Sequence, residues 1–83
     1  MARVTVYSTS MCPYCVQAKR LLKERAIPYD EIDVSDDAEL RAQMVERAGG
    51  KRTVPQIFID GNHVGGYVEL RALADAGGLA GLP

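Results

Sequence analysis

The chain has 83 residues, 47% of them hydrophobic, and a formal net charge of -1. That balance fits one domain and excludes a disordered chain, which combines low hydrophobicity with high net charge. It also argues against nucleic acid as the main partner, which calls for a clustered basic excess. No apolar run approaches the ~18 residues of a membrane span.

A chain this short buries about 60–65% of the surface its unfolded form exposes, so its core is modest. Met1-Ala2-Arg3-Val4-Thr5-Val6-Tyr7 lacks the long apolar region of an export signal and reads as the start of the fold. The expected compartment is therefore the cytoplasm. There a close pair of cysteines is more often catalytic or metal-binding than structural.

Val4-Thr5-Val6-Tyr7 is β-branched and aromatic and suits a buried strand. Ser8 to Met11 is a loop, and a helix follows from about Pro13 to Arg25. Pro13 fits its first turn, where a missing N–H costs nothing. Val16, Leu21 and Leu22 supply its apolar positions, and Pro28 ends it. Tyr29 to Val34 alternates as a strand. Ser35 is the expected cap of a second helix, with Leu40, Met44 and Val45 as its apolar stripe and Gly49-Gly50 as its stop. Gln56-Ile57-Phe58-Ile59 is a third strand. Asp60-Gly61 signals a hairpin into a short fourth strand at His63-Val64. Gly65-Gly66 then opens a third helix through Leu70 and Leu73, which ends at Gly77-Gly78 before an irregular tail, Leu79 to Pro83.

The order is β-α-β-α-β-β-α. The first two strands are joined through a helix, so they lie parallel with a right-handed crossover. The last two form an antiparallel hairpin. The result is an α/β chain with one four-stranded mixed sheet flanked by helices, the layout of the thioredoxin fold.

Cys12 and Cys15 are the only cysteines, set in Cys12-Pro13-Tyr14-Cys15 between a strand and a helix. Residues three apart on a helix share a face, with Cβ atoms about 5–6 Å apart. A disulfide needs about 3.5–4.5 Å, so the pair can close with a small adjustment. An ordinary thiol is only a few per cent thiolate at neutral pH. At Cys12 the unpaired N–H groups of the first helical turn, from Tyr14 and Cys15, can support a thiolate. The helix dipole adds only about 0.3–1 kcal/mol at an exposed site, so direct hydrogen bonds or a nearby cation must do most of this. Cys12 is thus the expected nucleophile, and Cys15, deeper in the helix, the resolving thiol. Zinc wants four ligands, and only His63 stands beside the two cysteines, so no metal ligand set is expected within one chain. A zinc ion or iron–sulfur cluster shared across a dimer stays open. Lys19 shares the helical face of the cysteines but reads by default as a solvated lysine, and His63 reads as a plain strand residue.

With these motifs in view, the chain resembles the glutaredoxin family, and within it the small bacterial dithiol members, from Val4 to about Leu79. Cys12-Pro13-Tyr14-Cys15 resembles that family's active site. Thr53-Val54-Pro55-Gln56-Ile57-Phe58-Ile59 resembles its cis-proline segment, and Gly65-Gly66 with Glu69-Leu70 resembles the end of its glutathione groove. The resemblance implies one domain over residues 1–83. It implies a glutathione-dependent oxidoreductase that reduces protein disulfides and glutathione mixed disulfides, acting as a monomer. Glutathione is then a co-substrate, no cofactor is held permanently, and the partners are glutathionylated or disulfide-containing proteins. The implied glutathione-binding residues are Tyr14, Arg52, Thr53, Val54, Pro55, Gly66, Tyr67 and Val68. Pro55 would be cis, Val54 would pair its backbone with the cysteine part of glutathione, and the N–H groups after Gly66 would take the γ-glutamyl carboxylate.

Two positions depart from the family pattern. Thr9 stands where a lysine is common, and Val68 where a hydroxyl or carboxylate is common. Lys51 and Arg52 are candidates to replace the missing cation. Two rivals remain: an electron donor of the same fold recycled by thioredoxin reductase, and an iron–sulfur carrier held between two protomers. The Gly65-Gly66 and Glu69-Leu70 ending argues against the first, and Pro13 against the second. A generic thioredoxin is disfavoured because the chain has no tryptophan.

Overall fold

The computed structural model describes residues 3–79. Its elements are β1 (Val4–Ser8), α1 (Pro13–Glu24), β2 (Tyr29–Asp33), α2 (Ala38–Arg47), β3 (Gln56–Ile59), β4 (Asn62–Gly65) and α3 (Tyr67–Asp75). The sheet order is β2-β1-β3-β4. β1 and β2 run parallel, with Val4 opposite Tyr29 and Ser8 opposite Asp33. β3 lies antiparallel to β1, and β4 antiparallel to β3. The mixed α/β layout expected from the element order is the one observed.

The period-2 alternation of the central strands sorts the core into two halves. Val4, Val6 and Ile57 pack with Ala18, Leu21 and Leu22 of α1 and with Leu70 and Ala74 of α3. Tyr7 and Phe58 point the other way, onto Val34, Met44 and Ala48. Tyr7 and Phe58 meet edge to face, ring centroids 5.6 Å apart. Leu22 and Met44, one in each half, are wholly buried, and each such side chain stabilises the fold by about 1.5–3 kcal/mol. Between β3 and β4, Asp60 has φ 52 and Gly61 φ 80. Two successive positive φ values give the hairpin turn whose twist matches its strands, which is why Asp-Gly stands there.

Four local expectations are corrected. Val16 is not a core position of α1; it is half exposed, and the buried side chains are Cys15, Ala18, Leu21 and Leu22. The stripe runs at i, i+3 and i+7 from Cys15, so the second cysteine belongs to the core face. α1 stops at Glu24, with Arg25 as its cap, because Ala26 turns to φ 56 and the N–H of Ile27 closes back on the Leu22 carbonyl at 2.9 Å. β2 ends at Asp33, although the Val34 N–H still donates to the Ser8 carbonyl at 2.9 Å.

The cap of α2 is Asp37, whose carboxylate accepts the Leu40 N–H at 3.0 Å. Ser35 is engaged elsewhere. Its N–H donates to Asp33 Oδ1 at 2.8 Å, and its hydroxyl accepts the Ser10 N–H at 2.8 Å. Ser35 thereby ties the loop before Cys12 to the end of β2. Met1, Ala2 and the tail from residue 80 to 83 lie outside the described residues.

Candidate active site

Cys12 is the N-cap of α1, in extended backbone with φ -134 and ψ 104, and Pro13 opens the helix. This places the Cys12 sulfur against the unpaired N–H groups of the first turn. Of the two expected there, the Cys15 N–H makes the bond, at 3.1 Å to Cys12 Sγ. Cys12 is partly accessible and Cys15 buried, and both are free thiols.

Burial pushes the Cys15 thiol up to about 12. Its hydrogen bond with Cys12 and the charge of Cys12 push the same way, while a backbone hydrogen bond from Thr9 and the Lys19 ammonium pull it back. Lys19 is not the solvated lysine expected. Its Nζ lies 2.8 Å from Glu31 Oε2, which also accepts the Ser8 hydroxyl at 2.7 Å. Lys19 and Ser8 together hold the Glu31 carboxyl below its ordinary range.

The Val54–Pro55 peptide is cis, and the Val54 carbonyl lies 3.6 Å from Cys12 Sγ. A groove of about 240 Å³ is lined by Tyr14, Thr53, Val54, Pro55, Gly66, Tyr67, Val68 and Glu69. Seven of the eight residues named from the sequence for ligand contact therefore share one wall. The eighth, Arg52, directly before Thr53 in the chain, lines another hollow of about 530 Å³ with Ala38, Arg41, Ala42 and Val45. Arg41 was not anticipated; its guanidinium donates to the Arg52 carbonyl at 3.0 Å. On sequence alone an arginine between Leu40 and Met44 reads only as the wet side of a helix.

Glu69 is the one residue lining this groove that was not named for ligand contact, although the Glu69-Leu70 pair marks its neighbourhood. Its carboxylate accepts the Gly66 N–H at 2.8 Å at the start of α3. The geometry needs the preceding glycine. Gly65 has φ +126, and a Cβ there would lie 2.6 Å from Glu69 Oε1. One donor at this helix start is thus already taken by the chain's own carboxylate.

The large apolar side chains exposed among the described residues gather around Cys12: Met11 at 92%, Tyr14 at 58%, Val16 at 49% and Val68 at 68%. The rings of Tyr14 and Tyr67 bridge the groove mouth, centroids 6.3 Å apart. None of the helices among the described residues is long and apolar enough to cross a membrane.

The glutaredoxin family model matches residues 4–64. Glutaredoxin 3 of Escherichia coli is 44% identical over 79 residues, covering 95% of this chain and 94% of that protein. The solution structure of a glutaredoxin from Brucella melitensis aligns with a TM-score of 0.82 and 49% identity, over 95% of this chain and 85% of that one. A glutaredoxin–glutathione complex from buckwheat aligns at 0.82 with 29% identity, over 92% of this chain and 71% of that one. With its paired thiols at a helix start and its four-stranded mixed sheet, the chain belongs to the glutaredoxin family, and its chemistry is that of a thiol–disulfide oxidoreductase of the thioredoxin fold.

Proposed function

We propose that this chain, acting as one 83-residue domain and as a monomer, reduces glutathione mixed disulfides and protein disulfides with glutathione as co-substrate. The observation that carries the reading is the Val54 carbonyl 3.6 Å from Cys12 Sγ, beside a groove walled by Tyr14, Thr53, Pro55, Gly66, Tyr67 and Val68. An extended peptide laid along Val54 pairs with its backbone like one added strand residue, and its sulfur then falls beside Cys12. Arg41 and Arg52, which share the hollow next to Thr53 in the chain, offer cations for the glycine carboxylate in place of the lysine lost at Thr9. The N–H groups of Tyr67 and Val68 at the start of α3 serve the γ-glutamyl carboxylate. The buckwheat relative was solved with glutathione, which supports the same ligand class here.

The cycle begins with the Cys12 thiolate, steadied by the Cys15 N–H. It attacks the glutathione sulfur of a mixed disulfide. The S–S bond breaks, the protein thiolate leaves and takes up a proton, and Cys12 carries glutathione. A second glutathione thiolate attacks that sulfur, releasing oxidised glutathione and the Cys12 thiolate. With a protein disulfide, Cys12 forms a mixed disulfide with one partner sulfur. The Cys15 thiol then loses its proton and attacks Cys12 Sγ, closing the Cys12–Cys15 bond, which two glutathione molecules reduce. Once Cys12 is in a mixed disulfide its negative charge is gone, and with it one of the contributions that hold the Cys15 proton. The exposed apolar side chains around Cys12 suit the docking of a protein substrate. This chemistry calls for a reducing compartment supplied with glutathione, such as the cytoplasm.

A coupled assay tests the reading. With a small glutathione mixed disulfide, glutathione, its reductase and NADPH, the wild type should turn over steadily. Turnover with thioredoxin reductase alone and none with the glutathione system would overturn it.

A further inference from the structure

Gln56 is one of two buried polar residues among those described, the other being Ser8. It stands at the start of β3, directly after Pro55. Every polar group of its side chain is paired. Nε2 donates to the Thr53 carbonyl at 2.9 Å and approaches the Thr53 hydroxyl at 3.2 Å. Oε1 lies 2.7 Å from Nε2 of His63 on β4. An amide oxygen only accepts, so the His63 Nε2 carries the hydrogen. The amide cannot be turned over, because its oxygen would then face the Thr53 carbonyl, acceptor against acceptor. The His63 ring is steadied in turn by Phe58, centroids 5.1 Å apart. A continuous chain of hydrogen bonds thus runs from β4 through β3 to the residue before Val54.

We propose that His63 and Gln56 are positioning residues, which set the Thr53–Val54 backbone that receives the disulfide substrate. Neither lines the groove; both act through Thr53, which lies in irregular backbone outside the strands and helices. A backbone edge recognises an extended peptide only if its N–H and C=O are held in direction, and holding them before binding removes an ordering cost. The strut does this from two hydrogen-bonded strands of the sheet. The inference rests on the reading of Val54 as the substrate's backbone partner.

The test uses three variants of the full chain: His63→Leu, Gln56→Leu and His63→Gln. The glutamine Nε2 falls close to the position of the imidazole Nε2, so His63→Gln keeps the donor. Two readouts are taken. The first is the backbone ¹⁵N order parameters of Thr53 and Val54 in the ligand-free protein, with β1 as internal reference. The second is KM against kcat for a small glutathione mixed disulfide.

The expected result is lowered order at Thr53 and Val54 in both leucine variants, unchanged order in β1, and KM raised about three- to tenfold with kcat within twofold. His63→Gln should restore both readouts. Wild-type order parameters in the leucine variants would overturn the proposal, as would an unchanged KM beside lowered order. Equal loss of kcat and KM performance in His63→Gln and His63→Leu would also overturn it, since that is general damage. If the wild type itself does not turn over the mixed disulfide, the functional reading fails, and the order parameters alone decide whether the strut holds the loop. His63 is on the surface, so its variants keep the test open should Gln56→Leu fold poorly.

Discussion

The backbone N–H of Cys15 donates to Cys12 Sγ at 3.1 Å, while the Cys15 side chain itself lies fully inside the core. One residue thus supports its neighbour's thiolate and withholds its own thiol. Ala18 and Leu22 lie on the same buried stripe of α1.

Alkylation should read this asymmetry directly. With iodoacetamide at pH 7 on the reduced, folded protein, one adduct is expected, on Cys12. A second, on Cys15, should form only after denaturant is added. Peptide mapping by mass spectrometry distinguishes the sites, and faster labelling of Cys15 would contradict the arrangement.

The raised Cys15 value also has a consequence for stability. Its folded value lies above the unfolded one, because burial favours the neutral thiol. The stabilisation is therefore complete below the unfolded pKa of about 8.5, and it is lost as the pH climbs toward the folded value of about 12. Urea midpoints of the reduced protein should fall between pH 8 and pH 10. Cys15→Ala should lose this part of the slope, despite a lower midpoint at neutral pH.

Lys19 and Glu31 join α1 to β2, with side chains 25% and 39% exposed. Solvent screens such a pair, so Lys19→Met should cost only about 0.5–1 kcal/mol at neutral pH. Glu31 is lowered on folding, mainly by Lys19, so its contribution is present above its unfolded pKa and disappears as the pH falls through the folded one. The cost of Lys19→Met should accordingly shrink as the pH is lowered through the acid range in which folded Glu31 takes up its proton. The same change removes a charge that favours ionised Cys15, so closure of the Cys12–Cys15 disulfide should slow. Stopped-flow measurement of that closure checks the second half.

Gly65→Ala should be among the most damaging small substitutions. The added Cβ meets the Glu69 carboxylate at 2.6 Å, and the backbone stands at φ +126. A loss of about 1–3 kcal/mol is expected, with release of Glu69 from the Gly66 N–H. Thermal unfolding gives the first quantity. The Gly66 amide proton shift gives the second.

Much of this architecture was legible because few residues carry it. Val4, Val6 and Tyr7 alternate as the central strand requires, and Asp60-Gly61 supplies two residues able to take positive φ. The helix phase of α1 was less legible. Cys15 read as chemistry rather than core, Ala18 is small, and Val16 was drawn inward in their place. Ser35 and Asp37 are both good caps in isolation; only the tie to Ser10 assigns Ser35 elsewhere. In the site, the cysteine pair and the segment around Pro55 are contiguous motifs and could be read directly. The Gln56–His63 bond joins neighbouring strands, where β3 and β4 shift register between Ile57 and Phe58. A one-residue slip would send those side chains to opposite faces, so no linear pattern announces the pair.

The most direct test compares the wild type with Cys12→Ser and Cys15→Ser in the glutathione-coupled assay on a small glutathione mixed disulfide. Cys12→Ser should be inactive, because no other thiol reaches the substrate sulfur beside Val54. Cys15→Ser should keep a substantial part of the wild-type rate, because glutathione itself resolves that intermediate. Activity surviving in Cys12→Ser, or abolished in Cys15→Ser with the fold intact, would contradict the assignment of nucleophile and resolving thiol.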